Sequence, residues 1–375
     1  MPFLAPAKVA SDEPLAALET VDVVEKTDLA NPARGRAISE SQCAPLPAPS
    51  SARLEASLSE TPFDLDKVNV TLALQDDRPA TVLYLAYGSN LCDETFRVKR
   101  KIRPLSALNV LVPALALTFD LPGLPYVEPC FANTRYRNEG SDTHDGFSSG
   151  GRRSSGVEMT RVQSSDKSPL LPRQNISDDR EMQWKKPLVG VVYEVTSSDF
   201  ARIIATEGGG SGYQDVLVSC HPFAPDSSPS DVVPFEPETS AFKAHTLCAP
   251  PRPSRRPDAN YAQPSARYLD LLQSGAAEHH LPDEYLAYLT GLQPYTITTR
   301  RQRLGRFIFT SLWRPVLIAV FSLNKVFADE RGRSPAWLRR VQNAIFTGIW
   351  ISYDAVFHRT FGDGERTQGR RSSSR

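Results

Sequence analysis

The sequence predicts a mixed α/β or α+β domain over about 80–295, arranged as a closed barrel with helices on its outside. Across this span, short runs of β-branched and aromatic residues alternate with stretches whose leucines recur at helical spacing. Composition changes on both sides, from Pro-, Ser- and Ala-rich before the domain to strongly apolar after it. Strands that alternate with helices within one segment are typical of a layered or barrel domain.

Charge and cysteine content exclude several classes of protein. The 375-residue chain has 43 basic and 43 acidic residues, so no overall field attracts nucleic acid. Its five cysteines are odd in number and include no CxxC pair, which argues against a disulfide framework or a zinc site. With no signal-peptide pattern at the N-terminus, the sequence predicts a reducing, cytoplasmic setting.

The N-terminal region, residues 1–76, has scattered charges and no sustained apolar periodicity. Such a segment buries too little apolar area to offset the entropy of ordering, so we predict that it is disordered. One short periodic stretch, 16–26, predicts a transient helix within it.

The domain begins with an almost continuous apolar run, 81–87, that ends at Gly88-Ser89-Asn90. This pattern predicts a buried strand followed by a turn. A helix is expected over 91–101, capped by Ser89 or Asn90, and a second strand over 110–121.

The rest of the domain alternates in the same way between elements and polar inserts. Polar, Pro- or Ser-rich composition predicts three low-complexity inserts, at about 138–186, 221–238 and 249–263. Between and after them, apolar patterning predicts strands over 187–195, 213–220 and 240–247, and helices over 199–206, 266–275 and 282–291.

The C-terminal region, 300–358, predicts a hydrophobic and amphipathic helical hairpin, followed by a basic tail over 359–375. Its run 307–327 is strongly apolar but contains an arginine, a proline and a lysine. Three interpretations stay open: packing on the core or a partner, peripheral membrane contact through 307–357, or a membrane span.

Two segments have residues suited to chemistry. Glycine directly after a buried strand, as at Gly88, removes the side chain that would hold a ligand away from the backbone amides. Such amides can bind a carboxylate or an oxyanion, although a plain turn has the same sequence. Glu207 precedes three glycines at a predicted helix end, which suits a carboxylate facing a cleft as well as a solvated charge. No lysine follows in the spacing of a phosphate-binding loop, so nucleotide binding is not predicted.

Four motifs in order resemble the γ-glutamylcyclotransferase family over about 80–295. They are YLAYGSNL at 84–91, GVVY at 190–193, the Glu207-Gly segment that leads to Tyr213, and PSARY at 264–268 followed by Gly275-Ala276 and LPDEY at 281–285. The stretch that begins at Val110 resembles the fungal branch. This resemblance implies an α+β fold, a γ-glutamylcyclotransferase-like small mixed β-barrel with surrounding helices.

The resemblance also implies an activity: release of 5-oxoproline from a γ-glutamyl amine, such as a γ-glutamyl amino acid, glutathione or a glutathione conjugate. It assigns Glu207 as acid/base, requires no cofactor, and makes a small γ-glutamyl molecule the partner. The long inserts depart from the family pattern and leave the leaving group open. A non-catalytic, membrane-tethered binding module and a γ-glutamyl amide hydrolase are the alternatives, and the oligomeric state is open. The implied substrate-binding residues are Tyr84, Leu85, Ala86, Tyr87, Gly88, Ser89, Asn90 and Tyr268.

Overall fold

The computed structural model describes residues 46–63, 81–137, 184–206, 213–249, 255–327 and 335–368. The predicted helix at 16–26, most of the first insert and the candidate catalytic residue Glu207 therefore lie outside the described residues. So do residues 1–45 and 64–76 of the predicted N-terminal disorder.

Seven strands form the β-structure of the described residues. Five of them close into a barrel, and the third and fourth form a separate antiparallel hairpin. The strands are β1 (Thr81–Ala86), β2 (Ser106–Val112), β3 (Leu115–Leu124), β4 (Glu128–Tyr136), β5 (Leu188–Thr196), β6 (Gln214–Pro222) and β7 (Phe242–Cys248).

The barrel order is β1-β5-β2-β6-β7, and a parallel contact between β1 and β7, Tyr84 opposite His245, closes it. All other neighbours in the barrel are antiparallel. The apolar runs that predict these strands lie in the interior, where Leu83, Leu85 and Val192 are fully buried. The predicted α+β class and closed barrel are confirmed.

The β3–β4 hairpin differs from the prediction. A single strand was expected over 110–121, but the chain turns at Pro113 and Ala114 and continues into β3 outside the barrel. Sequence patterning did not indicate β4, because its one proline and its polar residues interrupt the alternation. The hairpin tolerates this sequence because it is a two-stranded sheet, in which each strand has one free edge.

The described residues contain seven α-helices, of which the last three belong to the C-terminal region and pack away from the barrel. Helix α2 begins at Ser197, two residues before the predicted start at 199. The Thr196 hydroxyl caps it by accepting a hydrogen bond from the Asp199 N–H at 3.1 Å. The predicted helix over 91–101 is instead a 3₁₀ turn at Ser89–Leu91 and a π-helix at Glu94–Lys99. The helices are α1 (Ser51–Ser57), α2 (Ser197–Thr206), α3 (Ala266–Glu278), α4 (Asp283–Gly291), α5 (Arg300–Phe327), α6 (Ala336–Ser352) and α7 (His358–Phe361).

Part of the predicted N-terminal disorder is corrected, because residues 46–63 pack on the barrel. The Arg53 guanidinium is buried, pairs with Glu60 at 2.9 Å and donates to the Thr81 carbonyl at 3.0 Å. Phe63 packs against the buried Phe200 ring at 5.4 Å. These few long-range contacts hold a segment whose own sequence has no periodic pattern.

The C-terminal hairpin is formed by α5 and α6 and has a core of its own. It packs on the β3–β4 turn, where Tyr126 contacts Phe309 and Tyr353 edge-on. Within the described residues, α5 alone is long and apolar enough to cross a membrane by length and composition.

The predicted basic tail over 359–375 is corrected in its first part. Residues 362–368 return to the domain, with Asp363 and Glu365 buried. The Tyr126 hydroxyl donates to the Gly362 carbonyl at 2.7 Å, and the Arg256 guanidinium pairs with Glu365. Because these residues find fixed partners in other elements, the chain here is ordered in spite of its polar composition.

Candidate active site

A cleft lies at the end of β1, where the chain turns away from the barrel. Its free volume is about 40 Å³, which holds about three water molecules. The lining residues are Tyr84, Tyr87, Gly88, Ser89, Asn90, Leu121, Phe131, Ala132, Tyr213, Leu247 and Tyr268.

Gly88 and Tyr268 approach each other across this cleft. A Cβ atom at Gly88 would lie 3.3 Å from the Tyr268 hydroxyl oxygen, closer than ordinary van der Waals contact. The φ angle of Gly88 is −113°, a negative value that other residues also adopt. The backbone conformation therefore does not require glycine here. Glycine is needed at this position because of the close approach, as the sequence pattern suggested for a ligand-facing backbone.

The turn after β1 is held by two tyrosines. The Asn90 side-chain amide donates to the Tyr84 hydroxyl at 2.8 Å, and the Tyr87 hydroxyl donates to the Leu247 carbonyl of β7 at 3.1 Å. The Tyr84 ring is stacked with Phe96 at a centroid distance of 6.2 Å. The turn therefore keeps its shape through buried side chains on both sides of the cleft.

Tyr268 is positioned by groups that sequence reasoning missed. Its N–H donates to the Ser265 hydroxyl, the N-cap of α3, at 3.1 Å. That hydroxyl donates in turn to the buried carboxylate of Glu128, which also accepts from the Arg267 Nε at 3.1 Å. The sequence around Glu128 gives no sign of this role, because its partners lie far along the chain.

Helix α3 also approaches the turn closely at Gly275. A Cβ atom there would lie 2.5 Å from the Cys92 backbone nitrogen, so no larger residue fits. The predicted glycine-alanine motif thus lets the helix bearing Tyr268 pack directly on the turn after β1.

Not every predicted site residue reaches the cleft. Tyr84, Tyr87, Gly88, Ser89, Asn90 and Tyr268 line it together, whereas Leu85 and Ala86 belong to the barrel strand and are not among its lining residues. The Leu85 carbonyl accepts from the Thr246 hydroxyl at 3.2 Å, which is a contact between strands.

The described residues that line the cleft include polar groups, but none has a carboxylate, an imidazole or an amine. Backbone amides and tyrosine hydroxyls suit the binding of a small polar ligand, and a proton-transfer group must come from elsewhere. The nearby Cys92 does not supply one, because burial raises the pKa of its thiol. The described residues include no cluster of histidine, cysteine or acidic side chains arranged to bind a metal ion.

The closed barrel and its uncharged polar cleft suit the binding of a small polar molecule. The chain is similar to the following known proteins. The γ-glutamyl cyclotransferase verK of Clonostachys rogersoniana is 31% identical over 193 residues, which cover 51% of this chain and 85% of that protein. The γ-glutamyl cyclotransferase aclK of Aspergillus oryzae is 29% identical over 302 residues, which cover 78% of this chain and 92% of that one. A solved γ-glutamyl cyclotransferase structure aligns over 59% of this chain and 92% of its own at TM-score 0.35 and 18% identity.

The chain belongs to the γ-glutamyl cyclotransferase family, and its relatives include fungal proteins. Its general activity is that of a cyclotransferase. Its residues 299–360 match the model of the AclK C-terminal domain. That match covers the helical hairpin, which lies beyond the four motifs of the barrel domain.

Proposed function

We propose that the protein releases 5-oxoproline from a γ-glutamyl amine. The observation that carries the proposal is the cleft itself, in which the turn after β1 faces the Tyr268 hydroxyl and no described lining residue is charged. Such a cleft suits an electrically balanced amino-acid head group and a reacting carbonyl. Family membership supports the same class of substrate.

The reaction needs one ring closure and one bond cleavage. The substrate's α-amine attacks its own γ-carbonyl carbon and forms the ring C–N bond, and the bond to the leaving nitrogen then breaks. Because the amine is an ammonium at neutral pH, a carboxylate has to accept its proton and return one to the leaving nitrogen. In total the attacking nitrogen loses two protons, from ammonium to ring amide, and the leaving nitrogen gains two, from amide to ammonium. The products are therefore 5-oxoproline and the protonated amine, with no net gain or loss of protons.

We assign this acid/base role to Glu207. In the chain it lies between Thr206, where α2 ends, and Tyr213, which lines the cleft. This position in the chain supports the assignment, because none of the described lining residues has a carboxylate that could accept the proton.

The developing oxyanion requires preorganised donors. Backbone N–H groups of Tyr87, Gly88 and Ser89 are suitable, since glycine at position 88 leaves the backbone open to the ligand. The Tyr268 hydroxyl would help fold the γ-glutamyl arm into a shape ready to close.

A product assay by mass spectrometry tests the proposal. Purified protein is incubated with glutathione, a glutathione conjugate, γ-glutamyl amino acids and γ-glutamylamines. Wild type should yield 5-oxoproline from at least one, and Glu207→Gln should lower the rate by about 10²–10⁴-fold. Glu236→Gln, at an exposed glutamate of the Pro-rich insert, serves as the matched control and should be fully active.

Three results would contradict the assignment. Glutamate in place of 5-oxoproline would indicate a hydrolase. No product from any substrate, with natively folded protein, would indicate a binding module. Full activity in Glu207→Gln would show that another group transfers the proton.

A further inference from the structure

The outer face of α5 exposes a row of apolar side chains. The helix has 28 residues and is therefore about 42 Å long. Phe307 and Val326, near its two ends, are 65% and 67% exposed. Residues spaced by three or four along a helix share a face, and the exposed apolar residues of this face are Leu304, Phe307, Ile308, Leu312, Ile318, Leu323 and Val326.

Charge distinguishes this face from an ordinary packing surface. Helix α5 has six basic residues and no aspartate or glutamate, and α6 has two arginines and no acid. Arg300, Arg301 and Arg303 are exposed beside the first apolar residues of the face. In a chain of zero net charge, this concentration is complementary to an anionic surface.

Exposed aromatic residues lie at the other end of the hairpin. Phe327 and Trp337 contact each other edge-on at 5.6 Å, and both are about half exposed. Arg340 is also exposed close by in the sequence. Aromatic rings with adjacent arginines are favoured at the boundary between headgroups and acyl chains.

The packing of α5 argues for binding in the plane of a membrane and against a span. Its opposite side is already occupied, because Gln302, Phe309 and Leu317 are buried in the structure. A span would remove these contacts and place Arg314 in hydrocarbon. Lying on the surface keeps the packed side intact and immerses only the exposed face.

We propose that the α5 face of the C-terminal hairpin binds the surface of an anionic phospholipid membrane. The apolar row enters the boundary of the acyl chains, and the arginines contact the acidic headgroups. This inference does not depend on the reaction that the cleft carries out, because none of its residues lines the cleft.

Sedimentation of the full chain with vesicles tests the inference. Wild type should bind phosphatidylcholine vesicles containing phosphatidylserine far better than phosphatidylcholine alone, and added salt should release it. Arg300→Gln with Arg303→Gln should weaken binding by about fivefold for each arginine. Leu304→Gln with Phe307→Gln should weaken it by roughly tenfold or more.

A matched control uses exposed apolar residues elsewhere. Val232→Gln with Phe235→Gln, on the Pro-rich insert, should leave vesicle binding unchanged, and circular dichroism checks that every variant is folded. The proposal fails if wild type binds neither vesicle, binds both equally, or binds unchanged after the α5 substitutions. It also fails if the Leu304 and Phe307 substitutions abolish a dimer in solution, since a second copy then covers the face.

Discussion

The Tyr268 hydroxyl accepts a hydrogen bond from the Ala132 backbone N–H at 3.1 Å. This bond joins α3 to the β3–β4 hairpin across the candidate cleft. The Phe131 ring adds an edge-on contact with Tyr268 at 5.2 Å. One tyrosine thus faces the turn after β1 and also holds the opposite wall of the cleft.

Tyr268→Phe should therefore affect both activity and stability. Removal of the hydroxyl leaves the buried Ala132 N–H without this acceptor, which costs about 1–3 kcal/mol of unfolding free energy. The ligand also loses a contact, so we expect kcat/KM for 5-oxoproline release to fall by about one to two orders of magnitude. Urea unfolding and the product assay measure the two effects.

Tyr285→Phe is the matched control. Tyr285 is fully buried on α4, away from the cleft, and its hydroxyl has no hydrogen-bond partner among the described residues. Its removal should leave activity unchanged and stability equal or higher. Equal kcat/KM values for Tyr268→Phe and wild type would contradict a role for the Tyr268 hydroxyl in the reaction.

Tyr126 connects the C-terminal hairpin to the wall of the cleft. It lies at the tip of the β3–β4 hairpin with φ of 65°, and its N–H donates to the Gly364 carbonyl at 2.9 Å. Its ring is buried between Phe309 and Tyr353. The same β-hairpin supplies Leu121, Phe131 and Ala132 to the cleft.

We expect Tyr126→Ala to cost about 3–5 kcal/mol of unfolding free energy, because it leaves a cavity in the second core. Tyr126→Phe loses the hydrogen bond to Gly362 but keeps the packing, and should cost about 1 kcal/mol. If the C-terminal hairpin supports the wall of the cleft through Tyr126, then Tyr126→Ala also lowers the rate of 5-oxoproline release in fully folded protein. Unchanged activity, measured where both variants are folded, would show that the wall stands without the C-terminal hairpin.

The barrel could be predicted because its signals are local. Runs such as 81–87 and 187–195 combine apolar and β-branched residues, and burial on both faces of a strand requires that composition. The turn at Gly88 was equally visible, because glycine, serine and asparagine directly after an apolar run favour a turn. Strand order and the closing contact of β1 with β7 are not local, and neither was predicted.

The supports of the site could not be predicted from one sequence. The Glu128 carboxylate accepts hydrogen bonds from Ser265 and Arg267, and the Arg53 guanidinium donates to the Thr81 carbonyl. These partners are too far apart in the sequence for a periodic pattern to indicate the contact. Each such residue looks like a surface charge until the fold brings its partner close. The predicted disorder near 46–63 was wrong for this physical reason.

Glu128→Gln tests the support beneath Tyr268. The Glu128 carboxylate is 1% exposed and Arg267 is 36% exposed. Loss of one partner of a buried pair costs about 3–5 kcal/mol, and we expect the lower end because water reaches the guanidinium. Displacement of α3 should also raise KM more than it lowers kcat, since Tyr268 moves while the acid/base stays.

The comparison for this change is Glu94→Gln. Its pair with Lys99 at 3.2 Å is exposed on both sides, so its loss should cost only about 0–1 kcal/mol and leave KM unchanged. Thermal or urea unfolding and Michaelis kinetics measure both variants. An equal, small effect of the two substitutions would mean that Glu128 does not position α3.

His245 joins the N-terminal segment to the barrel through two carboxylates. Its Nδ1 lies 2.7 Å from Asp215 and its Nε2 lies 3.1 Å from Glu60. Burial alone lowers the pKa of this imidazole, but the hydrogen bonds and charges of Asp215 and Glu60 outweigh that effect, so its pKa is raised. Stability from this network is therefore complete below the unfolded pKa of about 6.5 and is lost as pH rises through the folded pKa.

His245→Gln removes the titration. The difference in unfolding free energy between wild type and this variant should be largest below about pH 6.5 and should shrink as pH rises. Burial lowers the pKa of His279, which gives a pH dependence of stability with the opposite sign. This contribution is present in both proteins and cancels in the difference. A proton NMR titration of the His245 ring gives a second measurement that does not require the variant to fold. A midpoint at or below about 6.5, or a difference that grows with pH, would show that the two carboxylates do not hold the imidazole in its charged form.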